Sequence, residues 1–421
     1  MWGGTEPLFL SLARAGQGVG GSIMFATSLA LLAHAYRGAD RGIAFGVFGA
    51  ITGIAVAVGP LLGGVLTSGI SWRWIFFVNG PVGAVAILIT VAKVAESRQP
   101  GAAKPDWPGF VLFSLGLASL VYGLIASGQK SFGNKLVVGS FVAAGVLLAA
   151  FVLAELRGRH PMFDLALFRR PAFTGAAVAA FGLSASIFAM ILYLVLYLQD
   201  ILGYSALGTG LRMTVMSGGM FAAATIAGRA SARVPARLLI GAGLLAGGAG
   251  LLAMRGLGAA SSWTHLIGGL ILAGVGAGLV NPPLASTAVG VVRPERAGMA
   301  SGINSTFRQV GVATGIAVLG TLFTRTVTGQ VRAAITTVPG MSGRAGQVAG
   351  AVQSGQTGRL IAHLPARTGH AVAIVTRSAF TAGLNQILLV AAIIAVASGL
   401  VSLAAIRGQD FAAPGLAPPG G

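Results

Sequence analysis

The chain has 421 residues, 55% of them hydrophobic and only 9% charged, with a mean hydropathy of +0.85. A soluble domain carries about 25% charged residues, so a water-facing globule is excluded, whereas lipid-facing helices penalise each charge and account for the scarcity. The net charge of +19 is scattered through short loops without a single basic face, which fits cytoplasmic loops of a membrane protein and not nucleic-acid binding.

Eleven apolar runs approach the 20 or so residues needed to span a bilayer as a helix. Their limits are 7–33, 42–67, 73–92, 107–127, 135–156, 172–198, 205–227, 236–254, 263–285, 298–323 and 382–406. The fold class this predicts is an all-α integral membrane bundle with about 11 transmembrane helices. The 66 glycines agree with it, because close backbone packing through small residues holds helices together in lipid. Alternate loops differ in charge. One set holds Arg37, Arg41, Lys93, Arg98, Lys104, Arg157, Arg159, Arg169, Arg170, Arg229, Arg233, Arg237, Arg293, Arg296 and Arg407, and the other Arg73, Lys130, Lys135 and Arg255. The basic set is expected in the cytoplasm. That places the C-terminus inside and the N-terminus outside. The opening Met1–Pro7 enters a helix without a basic region before it, so no signal peptide is expected. An odd span count with an external start suggests helices missing upstream. Residues 324–381, with six arginines among Gly, Ser, Thr and Gln, are expected to be a long external loop. The Pro/Gly-rich tail from Ala412 is expected to be disordered.

In the first run, Leu10-x-x-x-Arg14-x-x-Gln17-Gly18-x-Gly20 places an arginine deep among apolar residues, where it should face protein or a water-filled cavity or else snorkel outward. The second run carries Gly46, Ala55, Gly59-Pro60 and Gly63-Gly64, a bent, small-residue helix suited to close packing. Further on, Phe188, Tyr193 and Tyr197 share the sixth run. Tyr193 and Tyr197 lie four apart on one face, where they would line an apolar cavity or an interfacial belt. None of the nine acids (Glu6, Asp40, Glu96, Asp106, Glu155, Asp164, Asp200, Glu295, Asp410) lies in the middle of a run. Asp200 and Glu155 sit at the outer and inner ends of theirs and read as interfacial residues.

Together the first two runs resemble the fourth-helix and antiporter motifs of the major facilitator superfamily, with Ala55 where a middle glycine is usual. Trp72-Arg73-Trp74 to Gly83, Tyr197-Leu-Gln199-Asp-Ile-Leu-Gly203 and Gly298-Met-Ala-Ser-Gly302-Ile-Asn304 to Gly311 are similar to its fourteen-helix drug:proton antiporter branch. In that register the chain lacks family helices one to three. Gly228–Arg237 resembles a degenerate loop motif, with Ala232 and Pro235 at its usual acidic and glycine positions.

The resemblance implies a bundle that is N-terminally incomplete, with residues 1–92 a partial N-terminal half, 93–156 a central extra helix pair and 157–421 a C-terminal six-helix half. It implies a secondary transporter exporting lipophilic drugs or antibiotics by proton antiport across a bacterial cytoplasmic membrane. Its partners would be the bilayer, a small-molecule substrate and protons. Arg14, Gln17, Arg308 and Asp200 are the coupling candidates, and Phe188, Tyr193, Tyr197 and Asn304 the substrate-cavity candidates. The alternative is a truncated, split or decayed relative that does not transport by itself. The five histidines are dispersed and no His/Asp/Glu cluster is visible, so neither an enzyme, a cofactor nor a metal centre is expected.

Overall fold

Apolar segments in lipid must satisfy every backbone polar group internally, and a helix does so within one segment. In the computed structural model, which describes residues 7–36, 38–94, 106–129, 133–158, 162–231, 233–292 and 297–407, every regular element is helical. The elements are α1 (Pro7–Ala35), α2 (Gly38–Gly69), the short α3 (Trp74–Phe77), α4 (Asn79–Lys93), α5 (Trp107–Gln129) and α6 (Lys135–Arg157). A long interrupted helix follows, made of α7 (Pro171–Leu183), a π turn (Ser184–Phe188), α8 (Ala189–Leu196) and a second π turn (Tyr197–Ile201). After it come α9 (Ala206–Ala230), α10 (Ala236–Ala253), α11 (Ile267–Gly290), α12 (Ala297–Ile335), α13 (Ala345–Gln353), α14 (Thr357–Ala362) and α15 (Ala366–Ala405).

Local chemistry sets the boundaries. The Asn134 side chain accepts a hydrogen bond from Leu136 N at 3.0 Å, and Ser205 Oγ one from Gly208 N at 3.1 Å, so α6 and α9 each begin on a capped turn. Pro171 opens α7, where a missing N–H costs nothing. Inside α11, Pro282 and Pro283 remove two donors, and Ser286 Oγ donates to Pro283 O at 3.0 Å, taking up one of the carbonyls nearby.

Eight helical stretches among the described residues are long and apolar enough to cross a membrane. The runs 7–33, 42–67 and 205–227 correspond to α1, α2 and α9, of 29, 32 and 25 residues. The long stretch 324–381 differs from the expected loop. α12 continues to Ile335, α15 begins at Ala366, and α13 and α14 lie between them. Val338, Met341, Val348 and Val352 are buried in the common core, so this connection is a packed helical cap. At 39 and 40 residues, α12 and α15 are each about 60 Å long, roughly twice the apolar thickness of a bilayer, and they carry the cap beyond it.

The core lies in α7–α15, where α9, α11 and α10 pack in sequence, α10 against α15, and α12 against both α15 and α7. Glycines make the contacts close: a Cβ on Gly250 would fall 2.6 Å from Ala273 N, and one on Gly311 2.6 Å from Phe181 O. The helix pair α5–α6 joins this body through α12, α2 lies along α9 and α11, and α1 reaches α12. α4 buries no residue.

Candidate transport site

The geometry begins on α2. A Cβ on Gly64 would lie 2.7 Å from Leu207 Cα and 2.8 Å from Ala206 O, so the backbones of α2 and α9 touch there. Lower down, a Cβ on Gly49 would lie 2.9 Å from Pro282 Cγ on α11. Gly59 and Gly63 face open space instead. The close approach expected of the glycine-rich helix is real, but the helical phase puts it at Gly64 and Gly49. The surroundings of Gly46 and Pro60 lie outside the described residues.

Arg14 is exposed on α1. Its Nη1 donates to Gln17 Oε1 at 2.9 Å, and its guanidinium sits 5.3 Å from the centre of the Phe76 ring. The three-residue spacing places both polar groups on one face of the helix. The pair is joined, but it stands on the outside of the bundle rather than in an enclosed relay.

On the interrupted helix, Phe188 is half-buried in the first π turn. Tyr193, 5% exposed, donates its hydroxyl to Ile316 O at 3.0 Å and packs on Phe323. Tyr197, 1% exposed, donates to Ser261 O at 3.3 Å and stacks on Phe380. These tyrosines therefore brace the helix against α12 and against the turn before α11, with their rings buried rather than facing open space. The four-residue spacing across the regular turn of α8 puts both rings on one side, and the π turns lie before and after that stretch.

Asn304 on α12 is 3% exposed, and neither its Oδ1 nor its Nδ2 has a hydrogen-bond partner. Asn281 Oδ1 on α11 is likewise buried and unpaired, although its Nδ2 donates to Ala277 O at 2.9 Å. Buried polar groups are normally satisfied, so an amide with both ends free marks a place for water or a ligand group. Arg308, one turn beyond Asn304, is half-buried. Asp200, in the second π turn, is half-buried beneath the cap: a Cβ on Gly355 would lie 2.6 Å from its Oδ2. The coupling candidates are thus spread over three places and do not meet in one cluster.

Two features were not singled out in the sequence. Arg212 on α9 lies with its guanidinium 3.4 Å from the centre of the Tyr204 ring and 5.0 Å from that of Trp263. At the opposite end of the bundle, Asp106 and Glu155 converge on Gly109. Sequence alone could not reveal either one, because their members are brought together by helix packing.

The Major Facilitator Superfamily profile matches residues 1–316. Multidrug resistance protein Stp of Mycobacterium tuberculosis is 36% identical over 314 residues, which cover 74% of this chain and 58% of that protein. Puromycin resistance protein pur8 of Streptomyces alboniger is 35% identical over 324 residues, covering 76% of this chain and 64% of it. The tetracenomycin C resistance and export protein of Streptomyces glaucescens is 28% identical over 399 residues, covering 92% and 72%. Among solved structures, a bacterial homologue of the lysosomal transporter Spinster aligns with a TM-score of 0.40 and 16% identity, covering 93% of this chain and 88% of that one. The chain therefore spans about three-fifths of the length of the first curated relatives it matches. With a matching profile over three-quarters of its length and a bundle of apolar helices, the chain belongs to the Major Facilitator Superfamily and is a multi-pass protein of the cell membrane.

Proposed function

We propose that this protein exports small lipophilic molecules, of the kind represented by drugs and antibiotics, in exchange for protons, as a member of the fourteen-helix drug:proton antiporter branch. The observation that carries the reading is the backbone contact of α2 with α9 at Gly64. The helix bearing the antiporter-like glycine and proline pattern forms the seam between the N-terminal helices and the C-terminal body, where two rigid groups would rock while staying sealed. The names of the relatives, which concern multidrug, puromycin and tetracenomycin resistance or export, support the same substrate class. In this reading Arg14 and Gln17, with Arg308 and Asp200, serve the proton, while Phe188 and the unpaired amide of Asn304 face the substrate. Tyr193 and Tyr197 hold the helix that carries Phe188.

A second reading is favoured by one observation. α4 buries nothing, and Arg14 and Gln17 are exposed on an apolar helix, although polar groups at membrane depth normally face protein. In that reading the chain works only with further helices covering α1 and α4.

The test is accumulation of a fluorescent lipophilic cation in bacteria lacking their own efflux pumps. Expression should lower accumulation several-fold, a protonophore should restore it, and Arg14→Ala should abolish the effect while the protein still inserts. Unchanged accumulation with the protein present in the membrane would remove the export reading for this chain alone and leave the second one.

A further inference from the structure

We propose that Asp106 and Glu155 form a proton-binding site, holding one shared proton at the end of the helix pair α5–α6 that the loop charges place in the cytoplasm. Asp106 immediately precedes α5, and Glu155 lies in the last turn of α6. Glu155 is only 4% exposed although it is near a helix end. Its Oε2 accepts a hydrogen bond from Phe163 N at 3.0 Å. Asp106 Oδ1 accepts one from Gly109 N at 2.9 Å, and its Oδ2 one from Met162 N at 3.4 Å. The two carboxyl groups thus grip the segment that leads from α6 into α7.

The remaining oxygen of Glu155 supplies the argument for a ligand. Oε1 is fully buried and has no hydrogen-bond partner. It faces the same small space as Asp106 Oδ2: a Cβ on Gly109 would lie 2.7 Å from the one and 2.5 Å from the other. The surroundings are aromatic, with the Phe113 ring 4.8 Å from Phe151 and 5.5 Å from Phe163. The elements around the pair carry other charges among the described residues. Arg157 and Arg169 are exposed, Asp164 caps Ala166 N, Arg170 donates to Val291 O, and Arg308 lies on α12, which packs on α5. Asp106 is the charged group that meets Glu155 at Gly109.

Two ionised carboxylates with no countercharge beside them among the described residues repel one another in such a place. A single proton bonded to Glu155 Oε1 and donated towards Asp106 Oδ2 removes the repulsion and satisfies the one orphaned oxygen. Binding adds one proton from water and release returns it, and no other bond changes. Gly109 keeps the space free, since a methyl group there would displace both oxygens. The pair supplies a protonatable group in a chain whose apolar runs contain no acid at mid-length. Its use as the coupling proton rests on the antiporter reading, but its occupancy does not.

The test is infrared spectroscopy of the purified protein in lipid at neutral pH, independent of transport. Wild type should show the carbonyl stretch of a protonated carboxyl equivalent to one group per chain. Glu155→Gln should lose it. Asp106→Asn, which keeps an acceptor for Gly109 N, should retain a foldable pair and move the pH at which the band disappears. Identical spectra for wild type and both variants would overturn the proposal, as would a wild type with no protonated-carboxyl band at neutral pH. A band present in a protein that exports nothing would keep the proton site and remove the antiporter reading.

Discussion

At Gly64 an added Cβ would collide with the backbone of Leu207, and backbone cannot move aside as a flexible side chain can. Gly64→Leu should therefore destabilise the bundle by about 1–3 kcal/mol, the usual range for overpacking. Gly59→Leu, facing open space, should stay within about 0.5 kcal/mol. Thermal unfolding in detergent measures both, and equal shifts for the two variants would mean that α2 is not seated on α9 as described. The sequence shows that α2 is a close-packing helix. It does not show which glycine makes the contact, because that depends on the rotation of one helix against another. Arg14 and Gln17 could be named from the motif, and their spacing of three explains the hydrogen bond that the structure shows between them. Asp106 and Glu155 were not. Each reads as an ordinary interfacial acid until the packing of α5 on α6 and the turn through Phe163 bring them to Gly109.

The cap between α12 and α15 shows where reading by element breaks down. Val338, Met341, Val348 and Val352 are buried, but Gly340, Gly343, Gly346 and Gly350 interrupt them, and no stretch approaches the length of a membrane span. A reading tuned to 20-residue apolar runs sees a loop there, whereas the burial comes from short helices lying on a neighbouring surface. Gln353 Nε2 donates to Thr328 Oγ1 at 3.0 Å, tying α13 to α12. Gly355, with φ +68°, turns the chain over Asp200. A residue with a side chain pays about 1–2 kcal/mol in that conformation, and here its Cβ would also strike the Asp200 carboxylate. Gly355→Ala should loosen the cap without unfolding the bundle. Trypsin should then cut after Arg344 and Arg359 several times faster than in wild type. An unchanged rate would show that the cap is held elsewhere.

At the scale of the whole molecule, the helix-by-helix layout was legible because lipid imposes both a length and an apolar composition on each span. Which helices meet was not legible, since contacts such as that of Gly250 with Ala273 join residues whose local sequences look alike. The site follows the same division. Its candidate residues could be named from motif spacing, but only the fold shows Tyr193 and Tyr197 bracing rather than lining, Asn304 unpaired, and the acids gathered at two ends of the bundle. Proton-driven export, the central claim, is tested most directly with the purified chain in liposomes under an imposed pH gradient, following a fluorescent lipophilic cation. The account predicts dye movement that reverses when the gradient is reversed, collapses with a protonophore and is lost in Arg14→Ala. Dye movement no different from that in protein-free liposomes, under either direction of the gradient, would contradict it.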